Sequence, residues 1–389
     1  MLSIKNKKIE SYKCPFCTIA NCKISLNKKD GTLSSPDCSK LDQNLKSFFL
    51  NSTPMIKGKT VDLDIALVEA KKLIRQNKQI HIDGFGCDQI AMEKIINFAE
   101  KKKCSIDHMH GHRISNFFSA LQRYGGSFVS FNEIKNRSDF ILFIGQFENQ
   151  LDLRFLEKLE WNDRKIKKSI FTLPKTLKIK EEKKYLRYNL IDQINYLKRT
   201  IKGVKVQRNR QYKLLIDSFL AAKYPVFIPK IELYDYGLSA AIFDFVKTIN
   251  VIKKTRIFNF GENDNSSGFI NSCVTKTGFP NAVSFSDWGA IYDPNEFSSS
   301  KLMNYKDLQI YVSNFNYDPE IDFFKKNIFI GHPNAKNKKK FDVFIPTKIP
   351  GIDHDGLIVR PDLIGILKLR RIFDSDYPVT SKIFDFLDD

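Results

Sequence analysis

Short apolar runs that end on glycine or proline alternate, along most of this chain, with stretches of helical period. That alternation limits the fold more than any other feature. QIHIDGFG (79–86) reads as a strand running into a glycine turn, between the helical stretches VDLDIALVEAKKLIRQ (61–76) and CDQIAMEKIINFAEKK (87–102). SIDH (105–108) reads as a strand, RISNFFSALQRYG (113–125) as a helix, SFVSF (127–131) as a strand and SDFILFIGQ (138–146) as a buried strand. Strands and helices alternating at this spacing predict a parallel sheet covered on both faces.

The rhythm resumes at KKSIFTLP, followed by helices over 188–199 and 210–222, the strand YPVFIP, the helix LSAAIFDFVKTIN and the strand TRIFNFGEN. LQIYVSN, KNIFIGH and DVFIP are later strands. A chain of 389 residues can bury two sizeable cores. The expected division is a cysteine-rich N-terminal subdomain over 1–52, an α/β domain over 53–160 completed by 335–389, and a second, Rossmann-like α/β domain over 161–334. The first fifty residues are polar, with turn signals at KKDG and SSPD, and need a ligand or a neighbour to be stable. Residues 350–371, PGIDHDGLIVRPDLIGILKLRR, read as a loop and strand pair returning to one of the sheets.

The chain carries 63 Lys and Arg against 44 Asp and Glu, a formal charge of +19. The excess is spread as lysine through KNKK, EEKK and KNKKK, and no helix-turn-helix, RNP-type strand or zinc-finger spacing accompanies it. Nucleic acid is therefore not the expected partner; a basic surface would equally steer a polyanionic small molecule or an acidic subunit. The longest apolar runs are strand-sized, too short to span a bilayer. MLSIKNKKIES has no apolar h-region, so the expected location is the cytoplasm, where clustered cysteines are ligands more often than disulfides.

Four groups of residues could carry chemistry. CPFCTIANC and SPDCSK place Cys14, Cys17, Cys22 and Cys38 within reach of one metal, either an iron-sulfur cluster or zinc, or leave them as small packed side chains. IDGFGCD holds Asp83, Gly84, Gly86 and Asp88 at a strand end that offers backbone N–H groups to a ligand; Gln89 stands where a dinucleotide fingerprint needs a third glycine. IDHMHGHR carries His108, His110 and His112 at alternate positions; with His354 they suggest a zinc site, or else polar rings lining a cleft beside Met109 and Arg113. The loops CVTKTGFPNAVSF and IPGIDHDGLIVRPD add Gly278, Asp353, His354 and Arg360 as candidate binding residues, with solvated turns as the plain alternative.

Taken in order along the chain, several stretches resemble the B subunits of formylmethanofuran dehydrogenase and of the methylotroph formyltransferase/hydrolase complex. They are CPFC, IDGFGCD, Asp107-His108, ALQRYGG, NEIKNRSDFILFIG, TGFPNAVSF followed by YDP, and FIPTKIPGIDHDGLIVRPD. The resemblance implies an α/β fold of the molybdopterin-oxidoreductase kind (the formate dehydrogenase/DMSO reductase superfamily) without its C-terminal β-barrel, as two α/β domains plus the small cysteine subdomain. In the dehydrogenase, a cysteine followed by His-Gly holds a tungsten or molybdenum pterin, and a 4Fe-4S cluster lies nearby. Here Met109-His110-Gly111 stands at that place, the third cysteine step is C-x4-C, and Lys23-Ile24 replaces an acidic pair. A thioether is a poor substitute for thiolate on a high-valent metal, which argues against tungsto- or molybdopterin.

The resemblance therefore implies a structural, non-redox B subunit in one-carbon metabolism. Its complex moves formyl from formyl-tetrahydromethanopterin to methanofuran and releases formate, with amidohydrolase-like A, C and D subunits as partners. The alternatives are a redox-active formylmethanofuran dehydrogenase chain with CO2/formate chemistry, and an independent zinc hydrolase.

Overall fold

A computed structural model describes the chain except residues 1–8, 18–22, 28–32, 35–37, 49–51, 146–154, 156–158, 160–168, 174–182, 206–209, 230–234, 260 and 262. The fold is mixed α/β and divides into two compact units, Met1–His112 with Glu262–Asp389, and Arg113–Gly261.

The first unit is built on a nine-stranded sheet. Its spatial order is Gly289–Tyr292, Val283–Ser286, Ser105–Ile106, Ile80–Gly86, Leu308–Ser313, Lys326–Gly331, Val343–Pro346, Met55–Ile56 and Lys59–Thr60. The five central strands, from Ser105–Ile106 to Val343–Pro346, run parallel, and antiparallel pairs close both edges. Ile80–Gly86 and Leu308–Ser313 are buried at every position, as parallel strands covered on both faces must be. The helix Thr380–Asp388 packs on both Leu63–Gln76 and Gln89–Lys101, and these two also reach the sheet.

The N-terminal strands Ile9–Lys13, Lys23–Asn27 and Leu33–Ser34 form a small antiparallel sheet followed by the helix Ser39–Phe48. So short a segment cannot close a core of its own. Tyr12, Cys14, Phe16, Ile24, Leu41 and Leu45 instead share one with Phe315, Ile349, Ile352, Ile358 and Leu369.

The second unit has a parallel four-stranded sheet in the order Arg256–Ile257, Pro225–Pro229, Phe140–Ile144, Ser169–Leu173. Its core joins Phe140, Leu142 and Phe227 on the strands to Leu190, Ile194, Phe219, Ile242 and Phe243 on the helices Lys183–Ile201, Arg210–Ala221 and Tyr236–Ile249. Asp235 caps the last of these, accepting from the Leu238 N–H at 2.9 Å.

The structure divides the chain at different points from those expected. The Phe140–Ile144 strand, assigned to the first α/β domain, pairs with Pro225–Pro229 of the second. Leu308–Ser313 and Lys326–Gly331, assigned to the second, continue the sheet of the first through Ile80–Gly86. Buried parallel strands carry one apolar signature wherever they belong, so boundaries follow long-range pairing that no local pattern encodes. SFVSF is not a strand: Phe128 makes a single bridge to Ile257, and Phe131 opens the helix Phe131–Arg137. There the Ser130 hydroxyl accepts from the Glu133 N–H at 3.2 Å while the Glu133 carboxylate accepts from the Ser130 N–H at 3.0 Å, a capping box. In the tail, Gly356–Val359 and Ile366–Leu369 pair, among the described residues, with each other alone instead of joining a larger sheet.

Candidate functional site

The carboxyl ends of the Ile80–Gly86 and Ser105–Ile106 strands bring IDGFG and the Asp107–Gly111 loop to one place. The chain leaves the first strand through Gly84 (φ 89°) and Phe85 (φ 54°). A Cβ at Gly84 would stand against the Val312 carbonyl of the neighbouring strand, so both the close approach and the dihedral require glycine. Phe85 is fully buried with its ring 4.6 Å from Phe269, packing that holds a left-handed backbone costing about 1–2 kcal/mol.

Two buried carboxylates lie behind this turn. Asp83 accepts from the Gly84 N–H at 2.6 Å. Asp107 accepts from the His108 N–H and the Asn281 side-chain amide, each at 2.9 Å, and from the Ser299 N–H at 3.3 Å. Burial, reinforced by the Asp107 charge, pushes Asp83 up to about 7. Burial also pushes Asp107 up to about 6, against the pull of its hydrogen bonds. Asp83 is thus held towards its protonated form.

His108 is buried, and its Nδ1 accepts from the His110 N–H at 3.0 Å, which places the proton of the neutral ring on Nε2. Burial, helped by His110, lowers its pKa to about 3. Nε2 makes no well-formed hydrogen bond among the described residues, although the Asp264 main chain lies close enough to act on the ring. The His108 ring packs 5.3 Å from His110 and 5.2 Å from Phe269. His110 is the partly exposed ring, and its Nε2 lies 3.3 Å from Asp264 Oδ2. Burial alone would raise Asp264, but Lys40, His110 and His108 outweigh it and hold the carboxyl at about 2. Asp264 and Asn265 both adopt positive φ, 59° and 55°. Asn265 ties the loops together, donating to the Cys87 carbonyl at 2.9 Å and accepting from the Val359 N–H at 3.0 Å.

The remaining predicted residues separate. Gly86 belongs to the cluster, since a Cβ there would meet the Met109 methyl at 3.1 Å. Asp88 caps the helix Gln89–Lys101 through the Ala91 N–H at 3.3 Å and faces Gly356. Gly278 ends the helix Ser266–Thr277, at the opposite end from Asp264, with open space around it. Asp353 braces its own loop, accepting from the Ile349 N–H at 2.5 Å and the Ser375 hydroxyl at 2.6 Å. Half-buried His354 accepts through its carbonyl from the Gly351 N–H at 2.7 Å. Arg360 pairs with Asp362 at 2.5 Å in a hairpin turn. His354 does not join His108 and His110: no metal-holding group of three His, Cys, Asp or Glu side chains occurs among the described residues. Cys14 and Cys17 are buried, Cys38 packs against the cluster that contains Cys14, and Cys22 lies outside the described residues.

Asp264, Asn265, Asn281 and Ser299 were absent from the sequence-based site. The run NDNSSG at 263–268 does carry a signal, since Asp and Asn are the side chains that tolerate left-handed backbone. Asn281 stands in the loop CVTKTGFPNAVSF, of which only Gly278 was singled out, and Ser299 has no signal. The assembled groups are a buried carboxyl held towards its protonated form, Asp83, and a partly exposed His110 beside the Asp264 carboxylate, residue types that serve acid–base chemistry.

No protein-family model and no curated protein sequence matches the chain. Among solved structures it is similar to a chain of the formyltransferase/hydrolase complex of Methylorubrum extorquens with methylofuran, at 16% identity and a TM-score of 0.75, over 87% of this chain and 98% of that one. It is also similar to acetylene hydratase of Pelobacter acetylenicus, at 10% identity and a TM-score of 0.62, over 97% of this chain and 68% of that one. At these identities the likeness defines the fold, a mixed α/β class shared with a chain of that multi-subunit complex. No helix among the described residues is long and apolar enough to cross a membrane.

Proposed function

We propose that this chain is a non-redox, B-type subunit of a formyltransferase/hydrolase complex acting in one-carbon metabolism. In this reading it assembles with amidohydrolase-like A, C and D subunits in the cytoplasm, and the formyl transfer and hydrolysis happen on those partners. The likeness over 98% of the chain from the Methylorubrum extorquens complex supports it, because the match is to nearly a whole chain of that assembly.

The observation that carries the reading is Met109. In the redox relatives of the resemblance, a thiolate followed by His-Gly binds the pterin-held metal. Here the side chain before His110-Gly111 is a neutral thioether, packed against the hydrophobic cluster that contains Tyr311 and Phe329, with its methyl facing Gly86. A thioether brings no charge to neutralise a high-valent metal, so these residues do not fit a tungsten or molybdenum pterin. At the N-terminus, the thiols of Cys14, Cys17, Cys22 and Cys38 fit iron-sulfur or zinc by donor type. The burial of Cys14 among Tyr12, Phe16 and Ile24 suits a structural centre or plain packing.

Co-expression with the A, C and D subunits, followed by size exclusion and elemental and pterin analysis, tests this. The expected result is a stable complex with formyltransferase and hydrolase activity and no tungsten or molybdenum assigned to this chain. Stoichiometric tungsten or molybdenum with pterin, or viologen-linked formate oxidation dependent on this chain, overturns it.

A further inference from the structure

The strand Ile366–Leu369 has an open edge. In its antiparallel ribbon with Gly356–Val359, Val359 stands opposite Ile366 and Leu357 opposite Lys368. The Arg360 N–H donates to the Gly365 carbonyl at 2.9 Å, and the Val359 N–H turns away to Asn265. Hydrogen-bonded and non-bonded pairs alternate in such a ribbon, so Leu367 and Leu369 bond across it while the N–H and C=O groups of Ile366 and Lys368 point outward. Ile366, Lys368 and the following Arg370 are exposed, and none has a main-chain partner among the described residues.

This edge is also unusually apolar at its tip. Leu363 and Ile364 are 46% and 63% exposed, and Ile366 is 59% exposed. Leu363 is held at φ 57°, a costly conformation for a branched side chain, by its N–H to the Arg360 carbonyl at 2.9 Å and by the Arg360–Asp362 pair beside it. The opposite face of the ribbon is anchored, because Ile358 and Leu369 belong to the core shared with the N-terminal sheet. The turn therefore holds an apolar tip rigidly in solvent.

Charge selects the occupant. Arg360 and Arg371 are already paired, to Asp362 and Asp374. Lys368 and Arg370 have no ion-pair partner among the described residues, although the Arg370 guanidinium lies over the Tyr12 ring, 5.9 Å from its centroid; Lys368 stands at one of the outward backbone groups and Arg370 follows them. A second copy of the same edge would set these cations against each other, in a chain whose formal charge is already +19. The geometry points to an acidic, extended segment of another polypeptide, added as a third strand along Ile366–Leu369 with its apolar side chains against Leu363, Ile364 and Ile366. This inference holds whatever complex the chain belongs to.

Hydrogen exchange of the full chain, read by mass spectrometry over residues 360–371, tests it with a peptide of alternating glutamate and valine, about eight residues long. The expected result is slowed exchange at Ile366 and Lys368, with the lysine–valine peptide at least about tenfold weaker. Lys368→Pro removes an outward N–H without touching the Leu367 and Leu369 pairs, and abolishes the protection. Lys368→Glu with Arg370→Glu keeps the backbone intact and weakens the acidic peptide by the same factor, which guards against misfolding of the proline variant. Equal protection by both peptides, none by the acidic one, or protection that appears with protein concentration alone overturns the assignment.

Discussion

Asp107 presses its carboxylate against the α-carbon of Gly111, filling the place a Cβ would take. The same carboxylate accepts from Asn281, whose amide also donates to the Gly111 carbonyl at 3.0 Å. One buried charge thus sets the spacing of the whole Asp107–Gly111 loop. Gly111→Ala must displace it, and the expected cost is about 2–3 kcal/mol by urea denaturation. Gly278→Ala, with open space but φ 82°, should cost only about 1 kcal/mol.

Asp83 makes stability fall as pH rises. Its folded pKa, about 7, lies above that of an unfolded aspartate, so the folded state holds an extra proton between roughly pH 4 and pH 7. That stabilisation is complete below the unfolded value and is lost through the folded one. Asp83→Asn removes it, and the slope of stability against pH in that window should become more positive by up to about 1.4 kcal/mol per pH unit. Urea midpoints measured across the window read this directly.

Three buried histidines act in the opposite sense. Burial lowers His81, His108 and His332 to about 3, so each stays neutral in the fold while an unfolded histidine binds a proton below about 6.5. Their stabilisation is present above that value and is lost as pH falls towards 3. His332→Asn should reduce by about one the protons taken up on unfolding near pH 5, measured from the pH dependence of the unfolding constant.

Leu363 carries strain that an exposed turn does not need for stability. Leu363→Asn, which accepts positive φ, should raise stability by about 0.5–1 kcal/mol in thermal or urea melts. The same change should weaken the acidic peptide at the Ile366–Leu369 edge, since it removes part of the apolar tip.

Asn314 joins three segments with one amide, whose two N–H groups are shared among Thr347 Oγ1 at 2.6 Å, the Lys348 carbonyl at 3.0 Å and Thr380 Oγ1 at 2.9 Å. Asn314→Ala leaves buried acceptors without a donor, and about 2–4 kcal/mol should be lost in equilibrium denaturation. The C-terminal helix Thr380–Asp388 should then exchange its amides sooner than the central strands.

Local physics made part of this molecule readable in advance. Short apolar runs and helical stripes marked Ile80–Gly86, Gln89–Lys101, Phe140–Ile144 and Pro225–Pro229, because a strand covered on both faces stays apolar throughout and a half-buried helix leaves its period in the chain. The turn at Gly84 was readable too, since only glycine suits that dihedral. The histidine pair His108 and His110 stood out by spacing. Ser299 did not, and Asp264 and Asn281 stood only in stretches with a general loop signal, because each reaches the cluster from a different part of the chain and its contacts depend on the neighbours it meets.

Residue order and side-chain chemistry settled the α/β class and the glycine turn at Gly84. Which strands are neighbours, where the two units divide, and which carboxylates keep their protons came from packing alone. Pairing partners and desolvation depend on atoms distant in sequence. Asp83 and Asp353 have the same side chain and burial raises both, yet Asp83 is pushed up to about 7 beside a second buried carboxylate, while Asp353 accepts from the Ser375 hydroxyl and the Ile349 N–H, which act against its rise.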